Sequence, residues 1–194
     1  MVRIGVIGQS GEIPADVEQL AVEIGHEVAK RGCVLLTGGT NGIMEAASRG
    51  AKEAGGLVVG ILPGDFAESG NSYIDIPITT GFGFDYRSLV LVHSSDCLIM
   101  VSGGNGTLGE LSAAYLNRKP VISVETSGGW AAKIKEVAYD GIYLDTRKTI
   151  ELSFAKTAEE ALDLALRRVA QHKADIANMP AKGQAIGKDR PDGC

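Results

Sequence analysis

The segment from Ser102 to Glu110, SGGNGTLGE, combines the residue types of a phosphate-binding loop with a carboxylate. Its glycines let the backbone come close to a ligand and turn its N–H groups outward. The helix that should follow adds free N–H donors and the positive end of its dipole. Together these features predict an anion site, best suited to a phosphate. Glu110 would lie one turn inside the helix, where a carboxylate can cap the helix or reach the ligand.

This loop is flanked by a strand pattern and a helix pattern. Before it, Cys97–Val101 is an unbroken apolar run, which is typical of a strand buried on both faces. After it, apolar residues recur at helical spacing, and cations followed by a proline end the helix at 117–120. The local prediction is therefore strand, glycine loop, helix.

The rest of the chain repeats this alternation. We predict further strands at 2–7, 33–37, 57–62, 76–79, 121–124 and 142–144, and helices at 14–28, 43–54, 85–93, 130–138 and 158–170. Pro77 makes a central position in the sheet unfavourable for the strand at 76–79. The expected fold is α/β: a doubly wound, mainly parallel, Rossmann-like sheet in a single domain, residues 1–170. Residues 171–194 turn polar, and we expect a mobile C-terminal tail there.

Glycine loops follow three of the predicted strands and begin at Gly8, Gly38 and Gly103. In a parallel sheet with right-handed crossovers the carboxyl ends of the strands share one edge. Ligands bind at that edge, near the point where the strand order reverses. The three loops should therefore converge there, which predicts a site for a ligand of nucleotide size.

Composition narrows the class of protein. The chain has 194 residues with 44% hydrophobic and 22% charged residues, which suits one globular domain. A net charge of -5 without a Lys/Arg cluster argues against a nucleic-acid partner. Cys33 and Cys97 lie in apolar strands and Cys194 ends the chain, so we expect no disulfides and a reducing, cytoplasmic location. The first strand leaves no room for a signal peptide, and no apolar run reaches membrane-spanning length. No His, Cys or carboxylate group has metal-site spacing.

Two motifs resemble those of the LOG-like family of Rossmann-type proteins. Residues 37–44, TGGTNGIM, match the family's GGGxxGLM motif apart from Thr37 and Ile43. The segment from Ser102 to Glu110 matches PGGxGTxxE apart from Ser102. Arg87, followed by the Ser95–Asp96 pair, stands at the family's spacing, and the resemblance covers about residues 2–170.

Active family members split a nucleoside 5′-monophosphate into the free base, often a cytokinin, and ribose 5-phosphate. The resemblance implies phosphate held by Gly103, Gly104, Gly106 and Thr107, with Arg87 and Glu110 at the ribose and the scissile bond. It also implies a homodimer and no required cofactor, with an AMP-like nucleotide or phosphate as the bound molecule. The loops and motifs together give these candidate binding residues: Gly8, Ser10, Gly38, Gly39, Asn41, Gly42, Met44, Gly103, Gly104, Asn105, Gly106 and Thr107.

Departures from the family pattern leave a second hypothesis open. Active members usually have Arg-Lys where this chain has Arg87-Ser88, and they often have a glutamate at the position of Gly109. This pattern is closer to a branch that includes proposed molybdenum cofactor carriers. The hypotheses are thus a phosphoribohydrolase and a non-catalytic nucleotide or molybdenum cofactor carrier. Apart from this choice, both residues have simpler alternatives: Glu110 can merely cap its helix, and Arg87 can be a surface residue or form a dimer salt bridge.

An NAD(P)-dependent enzyme is a third, weaker hypothesis. The loop from Gly8 to Gly11 lacks the full GxGxxG pattern of dinucleotide-binding proteins. The second strand also has no acidic residue at its end, where the ribose of a dinucleotide would need one.

Overall fold

The computed structural model describes residues 1–178, which form one parallel sheet covered by helices on both faces. The sheet has seven strands in the order β4-β3-β2-β1-β5-β6-β7, and every neighbouring pair is parallel. The strands are β1 Arg3–Gly8, β2 Val34–Thr37, β3 Leu57–Leu62, β4 Ile76–Thr79, β5 Cys97–Val101, β6 Val121–Val124 and β7 Ser153–Ala155. The predicted doubly wound α/β fold is confirmed.

Within residues 1–178, five α-helices lie in the connections between strands and a sixth follows the last strand; the six divide between the two faces of the sheet. They are α1 Ala15–Lys30, α2 Ile43–Glu53, α3 Gly83–Ser94, α4 Asn105–Leu116, α5 Gly129–Val137 and α6 Ala158–Asn178. Apolar residues of α1, α2 and α6 form one buried core, and those of α3, α4 and α5 form the other. Strands buried on both faces need apolar residues at consecutive positions, which explains the unbroken run of β5.

The edge position of β4 agrees with its proline. Pro77 has no N–H to donate, and β4 pairs with β3 alone at one end of the sheet. The strand is exposed along its whole length. The sequence prediction that this strand lies outside the centre of the sheet is therefore confirmed.

The predicted last strand at 142–144 is wrong. This segment is a turn, in which Tyr139 and Tyr143 form an isolated antiparallel bridge. The strand beside β6 is instead Ser153–Ala155, where Ser153 pairs with Ile122. Both segments are short, and periodicity alone does not distinguish a strand of three residues from a turn that packs on the core.

Two helix boundaries also differ from the predictions. Helix α3 begins at Gly83, not at Asp85, and Leu89 in this helix is 41% exposed. Helix α6 continues beyond residue 170 to Asn178, so the first part of the predicted tail is helical. The remaining predicted tail, residues 179–194, lies outside the described residues. Within residues 1–178, no helix is both long and apolar enough to span a membrane.

Candidate functional site

A cavity of about 540 Å³ lies at the carboxyl edge of the sheet, where the strand order reverses. β1 lies between β2 and β5, so the connections leaving β1 and β5 diverge to opposite sides. This divergence opens a crevice between the two loops. The loop after β1 and the helices α3 and α4 form most of its wall. The geometry therefore places the candidate site where the sequence predicted it.

The loop after β5 is held by its carbonyl groups. Trp130 N donates to Gly103 O at 3.1 Å, and Ala131 N donates to Ser102 O at 3.0 Å. Ser102 N donates to the buried Ser127 Oγ at 2.7 Å. Gly103 has φ +98°, and a Cβ at this position would lie 2.6 Å from the side chain of Thr107. Helix α5 thus binds the carbonyl side of the loop and fixes its tight turn.

The first turn of α4 faces the cavity. Asn105, Gly106 and Thr107 line the cavity, and their backbone N–H groups have no hydrogen-bond acceptor among the described residues. Free N–H groups and the positive end of the helix dipole are suited to an anionic group such as a phosphate.

Glu110 is the buried acid of the cavity. Its side chain belongs to α4, is 8% exposed and accepts a hydrogen bond from Ser88 Oγ at 3.1 Å. Burial raises the pKa of Glu110 to about 7, although the Arg87 charge and the Ser88 hydrogen bond act in the opposite direction. A carboxyl group with this pKa can both accept and release a proton at neutral pH.

Arg87 is the buried cation of the cavity. The residue is 5% exposed, and its guanidinium lies 5.9 Å from the centre of the Phe84 ring. Burial lowers the pKa of Arg87, and the nearby Glu110 charge opposes this effect. Arg87 Nε is buried without a hydrogen-bond partner among the described residues. A buried, incompletely paired arginine at a cavity is suited to binding phosphate or ribose oxygens.

The structure brings most of the predicted site residues together. Gly8, Ser10, Met44, Arg87, Gly104, Asn105, Gly106, Thr107 and Glu110 line the cavity. Gly38, Gly39, Asn41, Gly42 and Gly103 belong to the same glycine loops but do not line the cavity. Their roles in ligand binding therefore stay predictions.

Two of these loop residues, Asn41 and Gly42, join the loop after β2 to the loop after β1. Asn41 Oδ1 accepts a hydrogen bond from Gly11 N at 3.0 Å. Gly42 has φ +68°, and a Cβ at this position would lie 2.6 Å from Gln9 O. The glycine therefore permits close packing of the two loops.

The sequence prediction missed several cavity residues on α3. Phe84, Asp85, Tyr86, Ser88, Leu89 and Leu91 line the cavity with Arg87. Because these positions are nearly consecutive, they do not lie on one helix face, and no helical periodicity in the sequence marks them. Gln9 and Thr40 also line the cavity, and no sequence signal marks them either. Within residues 1–178, no cluster of three or more His, Cys, Asp or Glu side chains could hold a metal ion.

Solved structures that resemble the chain include two proteins that bind the molybdenum cofactor. The chain is 34% identical to a solved molybdenum cofactor binding protein from Rippkaea orientalis, with a TM-score of 0.74 and coverage of 86% of this chain and 96% of that one. It is 30% identical to the molybdenum cofactor carrier protein of Chlamydomonas reinhardtii, with a TM-score of 0.73 and coverage of 87% and 98%.

A curated relative has a named activity. The chain is 32% identical over 123 residues to the cytokinin riboside 5′-monophosphate phosphoribohydrolase of Mycobacterium tuberculosis. The match covers 59% of this chain and 65% of the relative.

The family of the chain is shown by a family model. Residues 1–162 match the model of the SLOG cluster4 family. The resemblance to LOG-like proteins is thus confirmed, with molybdenum cofactor carriers among the structural neighbours. The chain belongs to the SLOG cluster4 family.

Proposed function

We propose that the protein hydrolyses the N-glycosidic bond of an AMP-like nucleoside 5′-monophosphate. The observation that carries this proposal is that the buried Arg87 and Glu110 line the same cavity as the free N–H groups at the start of α4. A site that needs only to bind phosphate has no use for a buried acid one turn along the helix. The relative from Mycobacterium tuberculosis, which is named for this reaction, supports the assignment.

The distance along α4 fits the shape of a nucleotide. Glu110 lies about 4.5 Å along the helix axis from Thr107, at about 1.5 Å per residue. With the phosphate at the helix N-terminus, the ribose would lie beside Glu110 and the base would extend toward α3. Arg87 then orients phosphate or ribose oxygens.

The proposed chemistry is one displacement by water. As the bond between C1′ and the base nitrogen breaks, positive charge develops on the ribose, and the Glu110 carboxylate stabilises it. Glu110 also takes a proton from the water that attacks C1′. The base leaves with the bonding electrons and takes up a proton from solvent, to which Glu110 returns the proton of the attacking water. The other product is ribose 5-phosphate.

The test is incubation of the purified protein with AMP and N6-modified AMP, followed by chromatography for the free base. The Glu110→Gln variant should lose activity by about 100-fold or more, because the general base is removed. Glu136→Gln, an exposed glutamate of α5, is the control and should leave the rate unchanged. Binding of AMP without release of base would contradict the proposal.

A carrier of a nucleotide or of the pterin-based molybdenum cofactor is the second candidate. It is favoured by the named carriers among the solved structures and by Ser88 and Gly109, which depart from the pattern of active LOG-like proteins. On this candidate the protein binds its ligand through the same cavity and releases it unchanged. Absence of both turnover and ligand binding would contradict both candidates.

A further inference from the structure

Ser88 makes two hydrogen-bond contacts with a single hydroxyl. Its Oγ lies 3.1 Å from Glu110 Oε1 and 3.1 Å from the carbonyl oxygen of Phe84, one turn earlier in α3. Both of these oxygens are acceptors when Glu110 is ionised. A hydroxyl has one proton to donate and two lone pairs, so it cannot donate fully to both acceptors at the same time.

The conflict disappears when Glu110 is protonated. The carboxylic acid then donates to Ser88 Oγ, and Ser88 donates its own proton to the Phe84 carbonyl. When Glu110 loses its proton, rotation of the Ser88 hydroxyl turns the same proton toward the carboxylate. Each state of Glu110 therefore has a partner, with no movement of heavy atoms.

Few other polar groups of the cavity can interact with Glu110. Among the residues that line the cavity, the other titratable side chains are Asp85, Tyr86 and Arg87, all on α3. Asp85 and Tyr86 are exposed, and only Arg87 is buried with Glu110. The loops after β1 and β2 contribute no charged group to the cavity wall. Ser88 is the residue that donates a direct hydrogen bond to Glu110 within the described chain.

We propose that Ser88 is a positioning residue that serves Glu110 in both of its protonation states, donating to the carboxylate and accepting from the acid. Glu110 can then release a proton and take it back within a buried cavity without losing its hydrogen-bond partner. The inference rests on the proposed function in so far as hydrolysis makes Glu110 exchange a proton. The contacts themselves do not depend on the substrate.

The test measures the titration of Glu110 directly. Glutamate is labelled with ¹³C at the carboxyl carbon, and its NMR shift is followed against pH in the full chain without nucleotide. The Glu110→Gln variant identifies the resonance. Ser88→Ala removes a hydrogen bond from both forms of Glu110, but a hydrogen bond to a charged group is worth about twice as much as a neutral one. The loss therefore favours the acid, and Ser88→Ala should raise the titration midpoint by about one pH unit. Ser88→Thr keeps the hydroxyl, so its titration midpoint should equal that of the parent.

Further variants separate this role from a merely structural one. Ser88→Cys has a weak donor and should give an intermediate midpoint. Ser69→Ala removes an exposed hydroxyl that bonds Phe66 O and should leave the midpoint unchanged. An unchanged midpoint in Ser88→Ala, or a midpoint displaced equally in Ser88→Thr, would overturn the inference.

The two proposals fail in different ways. If the midpoint moves as expected but AMP is not cleaved, the Ser88 contact stands and the proposed hydrolysis fails. If AMP is cleaved and the midpoint does not move, the hydrolysis stands and the role of Ser88 fails. The variants should also shift the acidic limb of the pH–rate profile in the same order as the NMR midpoints.

Discussion

The guanidinium of Arg87 occupies the space that a side chain at residue 38 would need. A Cβ on Gly38 would overlap Arg87 Nη1 and would lie 2.7 Å from Met44 Sδ. Gly38 does not have a positive φ, so other residues could adopt its backbone conformation. Glycine is needed here because it has no side chain to overlap Arg87. The loop after β2 therefore leaves room for the Arg87 guanidinium, and Arg87 in turn lines the cavity.

Gly38→Ala should impair ligand binding without unfolding the protein. The atoms in conflict are the ends of two flexible side chains, which can move, but the movement displaces Arg87 from its position. We expect the affinity for AMP, measured by calorimetry, to fall about tenfold or more, which corresponds to about 1.4 kcal/mol or more. Gly64→Ala, where a Cβ would meet no atom within 4 Å, is the matched control. Wild-type affinity in Gly38→Ala would contradict this account.

Glu110→Gln should stabilise the protein at high pH. Burial raises the pKa of Glu110 from 4.5 to about 7, so the folded state holds this proton more tightly than the unfolded state. The contribution of Glu110 to stability is therefore present below about pH 4.5 and is lost as the pH rises through 7. At pH 8 the free energy of unfolding of Glu110→Gln should exceed that of the parent by up to about 3 kcal/mol.

Denaturant unfolding at pH 5 and pH 8 measures this difference. The gain of the variant should be small at pH 5, where the parent carboxyl is protonated in the folded state. Glu136→Gln, at an exposed position of α5, is the control for the loss of one carboxylate. Equal stability of Glu110→Gln and the parent at both pH values would show that burial does not perturb this carboxyl group.

Two helical glycines should respond to alanine in opposite ways. A Cβ at Gly109 would meet no atom within 4 Å, so Gly109→Ala should raise the free energy of unfolding by about 0.5 to 1 kcal/mol through helix propensity. A Cβ at Gly50 would overlap the backbone carbonyl of Val22, where α2 packs closely on α1. Gly50→Ala should therefore lower the free energy of unfolding. Thermal unfolding measures both, and the same sign for both variants would refute the packing argument.

Ser127→Ala should loosen the loop after β5. Ser127 is buried, accepts from Ser102 N at 2.7 Å and donates to Val124 O at 2.6 Å. Its loss leaves a buried N–H and a carbonyl group incompletely paired, which costs about 1 to 3 kcal/mol. We expect a lower midpoint of thermal unfolding and weaker AMP binding. Ser69→Ala, which removes an exposed hydroxyl, should change neither quantity.

Much of the fold was readable from local pattern. Cys97–Val101 is apolar at every position because β5 is covered by helices on both faces. The glycine loop and the helix after it followed from turn and helix signals. The strand at 153–155 was missed because so short a strand depends on pairing with β6, which is a long-range contact. The start of α3 was misplaced because Gly83, with φ +71°, is a poor helix former.

The sequence by itself determined the order of strands and helices and the loops with free N–H groups, since both follow from periodicity and backbone preferences. Only the tertiary structure decided that Ser88 contacts Glu110, 22 positions along the chain, and that Arg87 is buried beside Gly38. Burial and proton affinity depend on which surfaces the folded chain brings together. The burial of Arg87 and the contact between Ser88 and Glu110 depend on the packing of α3 against α4, which residue types alone do not specify.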